Sequence, residues 1–252
     1  LQDGTRTTLT PDDELFHKIT GGLGLFGIIT EVTFSLTDNI KLKETGKNVP
    51  LSDYVRHFTN NVLPEKNTIK MHLGRLSIAP GKLLSGDVMA VDYEAYDHKP
   101  VVTPNFKAEL PRGSRFNIII INLMRRIPFL RSLYWGYESN RIEKNTEILT
   151  RNEVMQPPIN AMFNNSISES EWLQEYFVPG DKLDSFVTEL GELLNKNDVV
   201  LLNASIRFVK QNDRSPGSYA PTSDMFAVVL CWNQSLQSKS VVKTSKWIRD
   251  AQ

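Results

Sequence analysis

Apolar and polar positions along the chain change period several times, and each change marks an element. In "DDELFHKITGGLGLFGIITEVTFSL", residues 12 to 36, Leu15, Phe16 and Ile19 share one face of a short helix. Thr10 suits its cap, Pro11 its first position, and Asp12, Asp13 and Glu14 the positive end of its dipole. Four glycines stop it, and "GIITEVTFSL" then alternates as a strand does. Upstream, Asp3-Gly4 is a tight-turn pair and "TRTTLT" has strand composition. "LSDYVRHFTNNVLP" predicts a helix capped by Ser52, with Tyr54, Val55, Phe58 and Val62 inward. "TIKMHLGRLSI" and "GDVMAVDYEAYD" predict strands joined by the Pro80-Gly81 turn.

"HKPVVTPNFKAELPRGS" reads as a loop, residues 115 to 149 as helix interrupted at Pro128, and "RNEVMQPPINAMFNNS" as irregular chain. Residues 172 to 209 form the clearest unit. A strand, "WLQEYFVP", precedes a helix with Leu183, Phe186, Val187, Leu190, Leu193 and Leu194 on one stripe. "VVLLNASIRFV" is the next strand, "MFAVVLCWNQ" a further buried one, and "KTSKWIRDAQ" opens a helix. Strands and helices interspersed in this way predict an α+β fold.

Composition narrows the function classes. The 252 residues suit one large domain or up to two, and 40% apolar content supports a real core. Twenty-nine basic residues match 29 acidic ones, so no basic surplus exists for a nucleic-acid backbone, and no nucleic-acid partner is expected. A single cysteine, Cys231 in an apolar run, excludes an internal disulfide or a multi-cysteine metal site. His17, His57, His72 and His98 show no metal-ligand spacing, so no metal is expected.

"FNIIIINLM" falls well short of the roughly 20 residues that span a bilayer, and no secretory leader is visible, which points to a cytoplasmic location. The longer stretch "RFNIIIINLMRRIPFLRSLYW" has two readings. One is an amphipathic helix on an anionic membrane, held by Arg125, Arg126 and Arg131. The other, which is favoured, is a helix buried on the sheet with its arginines outside. The opening "LQDGTRTTLTP" resembles a turn between two strands, so the chain is expected to be a piece of a longer protein.

Gly22-Leu23-Gly24-Leu25-Phe26-Gly27 matches G-x-G-x-x-G. A dinucleotide fingerprint of the Rossmann kind needs a strand before it and a helix after it. Here the helix comes first and the strand second, which excludes that site. The cluster is then either a helix C-cap and turn or a place where backbone comes close to a ligand.

"DDELFHKITGGLGLFGIITEVTFSL" resembles the end of the FAD-binding (PCMH-type) domain of the vanillyl-alcohol oxidase superfamily, with His17 where tryptophan is common. "LQEYFVP", "LLNASIRFV" and "MFAVVLCWNQ" follow in the order expected of its sugar-lactone oxidase, alditol oxidase and decaprenylphosphoryl-ribose oxidase members. The resemblance implies that residues 1–38 are the tail of the FAD domain. Residues 39–252 would then be an incomplete substrate (cap) domain, a mixed or antiparallel sheet with helices on one face. It implies FAD as cofactor and an alcohol or sugar-like small molecule as substrate, oxidised by hydride transfer to flavin. The parent protein would be an FAD-dependent oxidoreductase whose phosphate-binding loop lies upstream, so this chain alone is expected to hold FAD weakly or not at all.

The resemblance also implies site residues. Gly22, Gly24 and Gly27 match the glycine positions, and Ile28 and Ile29 follow, Ile29 at the position whose main chain meets the flavin nucleotide. Glu175 matches an acidic position facing the substrate, and Arg207 a basic one on the next strand, with the register open by one. Glu175 would orient or deprotonate a hydroxyl, and Arg207 would stabilise oxyanion charge. Gln174 and Glu175 are neighbours, so only one faces inward, while Asn203, Ser205 and Arg207 share a face. The competing readings are a non-catalytic cap-like interaction module and a membrane-peripheral fragment.

Overall fold

The computed structural model describes residues 4–102, 114–144, 146–155 and 166–252. Its centre is a seven-stranded sheet of order β4-β1-β3-β2-β6-β7-β5. The strands are β1 Lys41–Pro50, β2 Ile69–Arg75, β3 Asp87–Asp97, β4 Glu147–Thr150, β5 Glu169–Pro179, β6 Val200–Val209 and β7 Met225–Ser235. All of the strand pairings are antiparallel. The strand–helix–strand unit read from 172 to 209 is present, but β7 inserts between β5 and β6 and pairs with both.

Helices cover both faces of the sheet, not one. Val91 on β3 pairs with Gly46 and Leu73, whereas its neighbour Ala90 pairs with Lys47 and Gly74, so the two sets point to opposite faces. A side chain at Gly74 would meet Tyr54 of α2 (Leu51–His57), which fixes one face. On that face lie also α6 (Leu183–Lys196) and α7 (Ser238–Asp250), with Tyr176 against Phe186 and Trp232 against Trp247. The predicted stripe of α6 holds: Leu183, Val187, Leu190 and Leu194 are all buried. At Gly46 a side chain would instead meet Ile142 of α4 (Pro128–Lys144), which fixes the other face.

The break at Pro128 divides α3 (Ser114–Arg126) from α4, because proline supplies no amide to continue the helix. Two of their arginines do not lie outside, and the exposed Arg126 leans on the sheet edge. Arg125 and Arg131 are buried, Arg125 donates to Glu171 at 2.7 Å, Arg126 pairs with Glu169, and Arg131 donates to the Met124 carbonyl at 3.0 Å. Two cations thus turn toward the sheet because β5 offers carboxylates there, which helical periodicity cannot reveal.

Other local expectations change for similar reasons. Residues 5–10 and 27–39 are not strands, because no neighbouring strand among the described residues receives their backbone bonds. Ser52 is inside α2, which starts after Pro50 with no side-chain cap, and α2 runs on through a widened turn at Phe58–Val62. Helix α1 (Glu14–Ile19) begins later than expected, since the Asp13 carboxylate accepts from the Thr10 amide at 2.7 Å and holds Thr10 to Asp13 as a turn. Thr150 and Glu153 form a reciprocal cap on α5 (Arg151–Val154), inside a stretch expected to be irregular. Helix α7 begins at Ser238, five residues ahead of the predicted "KTSKWIRDAQ". Residues 103–113 of the expected loop, and 156–165, lie outside the described residues.

Candidate functional site

Strand register decides which of the predicted residues share a surface. Glu175 pairs with Val229, Val229 with Ser205, and Ser205 with Arg75, so these four form one row on the α3–α4 face. The next row places Phe177, Ala227 and Arg207 together. Glu175 and Arg207 therefore project from the same face, separated by β7, at a lateral distance on the order of 10 Å for two strand spacings. Gln174 faces the other way, toward α6, so of the two neighbours Glu175 is the one on the Arg207 face. The register of Arg207 is equally plain: it is the exposed member of its strand, with Ile206 buried on the opposite face.

Glu175 is half-buried, and its carboxylate makes no hydrogen bond or ion pair among the described residues; the same holds for the Arg207 guanidinium. The two are brought to one surface but not into contact. Ser205 is buried beside them with its hydroxyl unpartnered. Arg75, at the far end of the row, is occupied by Glu138 at 2.9 Å. Glu138 meets Arg141 at 3.4 Å, and Arg141 reaches Glu44 at 3.4 Å and Glu147 at 3.0 Å. Tyr93 donates to Glu44 at 2.9 Å, and burial foremost, with that carboxylate, holds its phenol above the ordinary tyrosine range. The charges under α4 are thus satisfied internally, and those of Glu175 and Arg207 are not.

The glycine cluster lies against the same end of the sheet. Thr20 ends α1 by donating its amide to Phe16 at 3.0 Å, and the turn continues through Gly22 to Ile19 and Leu25 to Gly22. Gly21 and Gly24 have φ of 81° and 79°, a region that disfavours a side chain. Gly22 is buried, and a Cβ there would sit 2.1 Å from the Lys18 carbonyl. The loop before β7 holds this turn in place. Ser215 donates to the Thr20 carbonyl at 2.5 Å, and Gly217 lies so close that its Cβ would come within 2.6 Å of the Gly21 carbonyl. From that loop Tyr219 stacks on Phe177, with centroids 4.3 Å apart and an interplanar angle of 1°.

From Gly27 to residue 39 the chain has no regular secondary structure. Ile28 is 88% and Ile29 58% exposed, with Val32, Phe34 and Leu36 also open. Among the described residues the backbone of 27–36 makes no hydrogen bond. The glycine turn is thus both a helix cap and the start of an uncovered apolar segment with free main-chain groups.

Sequence reasoning identified Gly22, Gly24, Gly27, Ile28, Ile29, Glu175 and Arg207, and the fold brings the turn and the sheet corner toward one another through Ser215, Gly217 and Tyr219. It missed that loop. The only signal was "SPGSY", whose small residues permit a close approach but do not name the partner. Phe177 was within reach, since alternation places it on the Glu175 face.

No family model matches the chain, and no curated protein matches it. Among solved structures, a single-substitution variant of berberine bridge enzyme aligns with a TM-score of 0.36 and 11% identity, over 84% of this chain and 40% of that one. The chain spans about 40% of that enzyme's length. At that TM-score the likeness assigns neither family nor function. Among the described residues no helix is long and apolar enough to cross a membrane, and no group of histidine, cysteine, aspartate and glutamate side chains could hold a metal ion.

Proposed function

We propose that this chain forms part of an FAD-dependent oxidoreductase acting on an alcohol or sugar-like substrate. The proposal rests on one observation. A glycine turn opening onto a bare apolar main-chain segment is clamped by Ser215 and Gly217 to the loop that caps the Glu175–Arg207 corner. Residues 22–29 fit one wall of a flavin site: Ile28 and Ile29 offer apolar surface, and their free main-chain groups can bond polar ring or ribityl atoms. A bound flavin supplies the hydride acceptor.

The chain's own residues supply the rest. Glu175, half-buried and unpaired, accepts a proton from a substrate hydroxyl or orients it. Arg207 faces the same surface and stabilises negative charge developing on that oxygen. Tyr219, stacked on Phe177, adds a flat aromatic surface beside them. The domain reading follows: residues 1–38 belong to the cofactor-bearing part and 39–252 to the substrate part.

The test is spectroscopic and kinetic. Purified at its natural length, the protein carries the visible absorption of a flavin, or acquires it on adding FAD, and reduces a dye when given alditols, sugars or lactones. Glu175→Gln lowers kcat by about two orders of magnitude, the usual weight of a general base. A colourless protein that takes up no FAD sinks the reading; unchanged turnover in Glu175→Gln sinks only the role of that residue.

A further inference from the structure

Helices α3 and α4 pack Ile120, Met124, Leu130, Tyr134, Trp135 and Ile142 on the core, yet their outer side is apolar as well. Ile119, Leu123 and Ile127 are 57%, 45% and 42% exposed, and Phe129, Leu133 and Tyr137 are 66%, 53% and 65% exposed. Each trio runs at i, i+4, i+8, one along each side of the Pro128 break. Met124 and Arg125 on α3, and Arg131, Glu138 and Ile142 on α4, are buried. Both stripes therefore face away from the sheet.

We propose that this outer face docks on the surface of a lipid bilayer, and does so without electrostatic attraction. Charge and area both point there. Among the described exposed residues of the two stripes and between them, Arg126 is the sole charged one, and Glu169 neutralises it. Asn122 and Ser132 complete the face. A surface without net charge matches a zwitterionic headgroup layer, and it offers an anionic one no added gain. At about 150–200 Å² per large side chain, six half-exposed ones leave roughly 500–650 Å² of apolar surface, at the upper end for a monomer's largest patch. That is less than the about 800 Å² each partner contributes to a stable protein complex. At the break two of the three amides of residues 127–130 are paired: Ile127 donates to Leu123 and Leu130 donates to Ile127, while Pro128 has no amide. The face can enter the headgroup region, where water still meets the remaining Phe129 donor. Membrane docking here does not depend on the flavin reading.

Vesicle flotation of this chain tests the proposal. The chain floats with pure phosphatidylcholine vesicles. The bound fraction changes less than about twofold when roughly a third of the lipid is phosphatidylglycerol, or when salt rises from about 0.1 to about 0.5 M. L123E/F129E/L133E reduces binding about tenfold with an unchanged circular dichroism spectrum, and Phe129→Ser alone reduces it severalfold should the triple variant fail to fold. Tyr137→Trp shows a blue-shifted emission on adding phosphatidylcholine vesicles. Absence of binding to phosphatidylcholine, binding that requires anionic lipid, or equal binding by the variants overturns the proposal. So does a dimer in sedimentation velocity that L123E/F129E/L133E abolishes, which would assign the face to a second copy.

Discussion

Replacing Gly74 by alanine should destabilise the fold far more than a single methyl group suggests. Gly74 lies on β2 directly beneath the Tyr54 ring, and a Cβ there falls 2.6 Å from Tyr54 Oη, 2.7 Å from its Cζ and 2.8 Å from Val88 Cγ1. Tyr54 is 1% exposed, stacked on His72 and set edge-on to Phe226, so the ring has nowhere to slide. Its hydroxyl is 2.9 Å from His72 Nε2, and His72 Nδ1 is 2.6 Å from Asp92 Oδ1. With a carboxylate that only accepts, His72 carries a proton on Nδ1, and its Nε2 is bonded to the Tyr54 hydroxyl. Displacing the ring leaves that buried nitrogen unpaired, at about 1–3 kcal/mol, and adds about 1–3 kcal/mol of overpacking. Alanine's better strand entropy returns about 0.5–1 kcal/mol. The expected net loss is about 1–5 kcal/mol, or roughly 2–20 °C in Tm for a chain of this size. Urea unfolding followed by circular dichroism measures it. Gly136→Ala is the control: nothing lies within 4 Å of its Cβ, and it sits in α4, so that change should be neutral or slightly stabilising. A Gly74→Ala protein within about 0.5 kcal/mol of the parent, or a control equally damaged, refutes the reasoning.

The clamp on the glycine turn has a separate signature: Gly217→Ala drives a methyl into the Gly21 carbonyl and should raise protease cleavage within residues 20–30 severalfold while leaving the unfolding midpoint nearly unchanged, since no buried core residue is touched. Unaltered cleavage would mean that the contact does not hold the turn. His57 gives a pH dependence: burial first, then Lys47 and His72, hold its imidazole below the ordinary range, with Asp92 and Asn61 opposing. A folded-state pKa below the unfolded one means that the unfolded chain takes up the proton first, so this contribution is complete above about pH 6.5 and fades as pH falls through the depressed value. His57→Gln should flatten that limb of the stability curve, and an identical slope in parent and variant would remove His57 as its source.

How much was legible in the sequence depends on whether a signal was local. The stripe on α6, the strands flanking it and the break at Pro128 all rest on period and on proline's missing amide, and all are present. The orientation of Glu175 over Gln174 needed only the period of two plus the knowledge of which face is covered. By contrast, "GIITEVTFSL" reads as a strand and has no regular secondary structure, because a strand exists only through a partner, and alternation says nothing of where that partner is. The arginines of "LMRRIPFLR" were assigned to solvent by residue type, whereas Glu169 and Glu171 on β5 draw Arg126 and Arg125 to the sheet. Pairing across more than forty residues has no trace in local periodicity.

Those same ion pairs explain why the Glu175 corner is open at all. Along β5, Glu169 and Glu171 are held under α3 by Arg126 and Arg125, and two residues further on Leu173 is 62% exposed. The helical cover therefore ends within about 7 Å of strand, the rise of two residues. Beyond that edge Glu175 and Phe177 face out, with Tyr219 and the glycine turn approaching from the other side. The Arg125–Glu171 contact is buried on both sides, with side chains 1% and 7% exposed, so parting it would leave a desolvated charge at about 3–5 kcal/mol. A contact that costly to break holds the edge of this cover in one place, and among the described residues no helix covers the Glu175 end of β5 on that face. The apolar outer face of α3 is the opposite side of the same constraint: with Arg125 committed inward and Arg126 paired to Glu169, the uncharged residues the helix presents outward among those described are Ile119, Asn122 and Leu123.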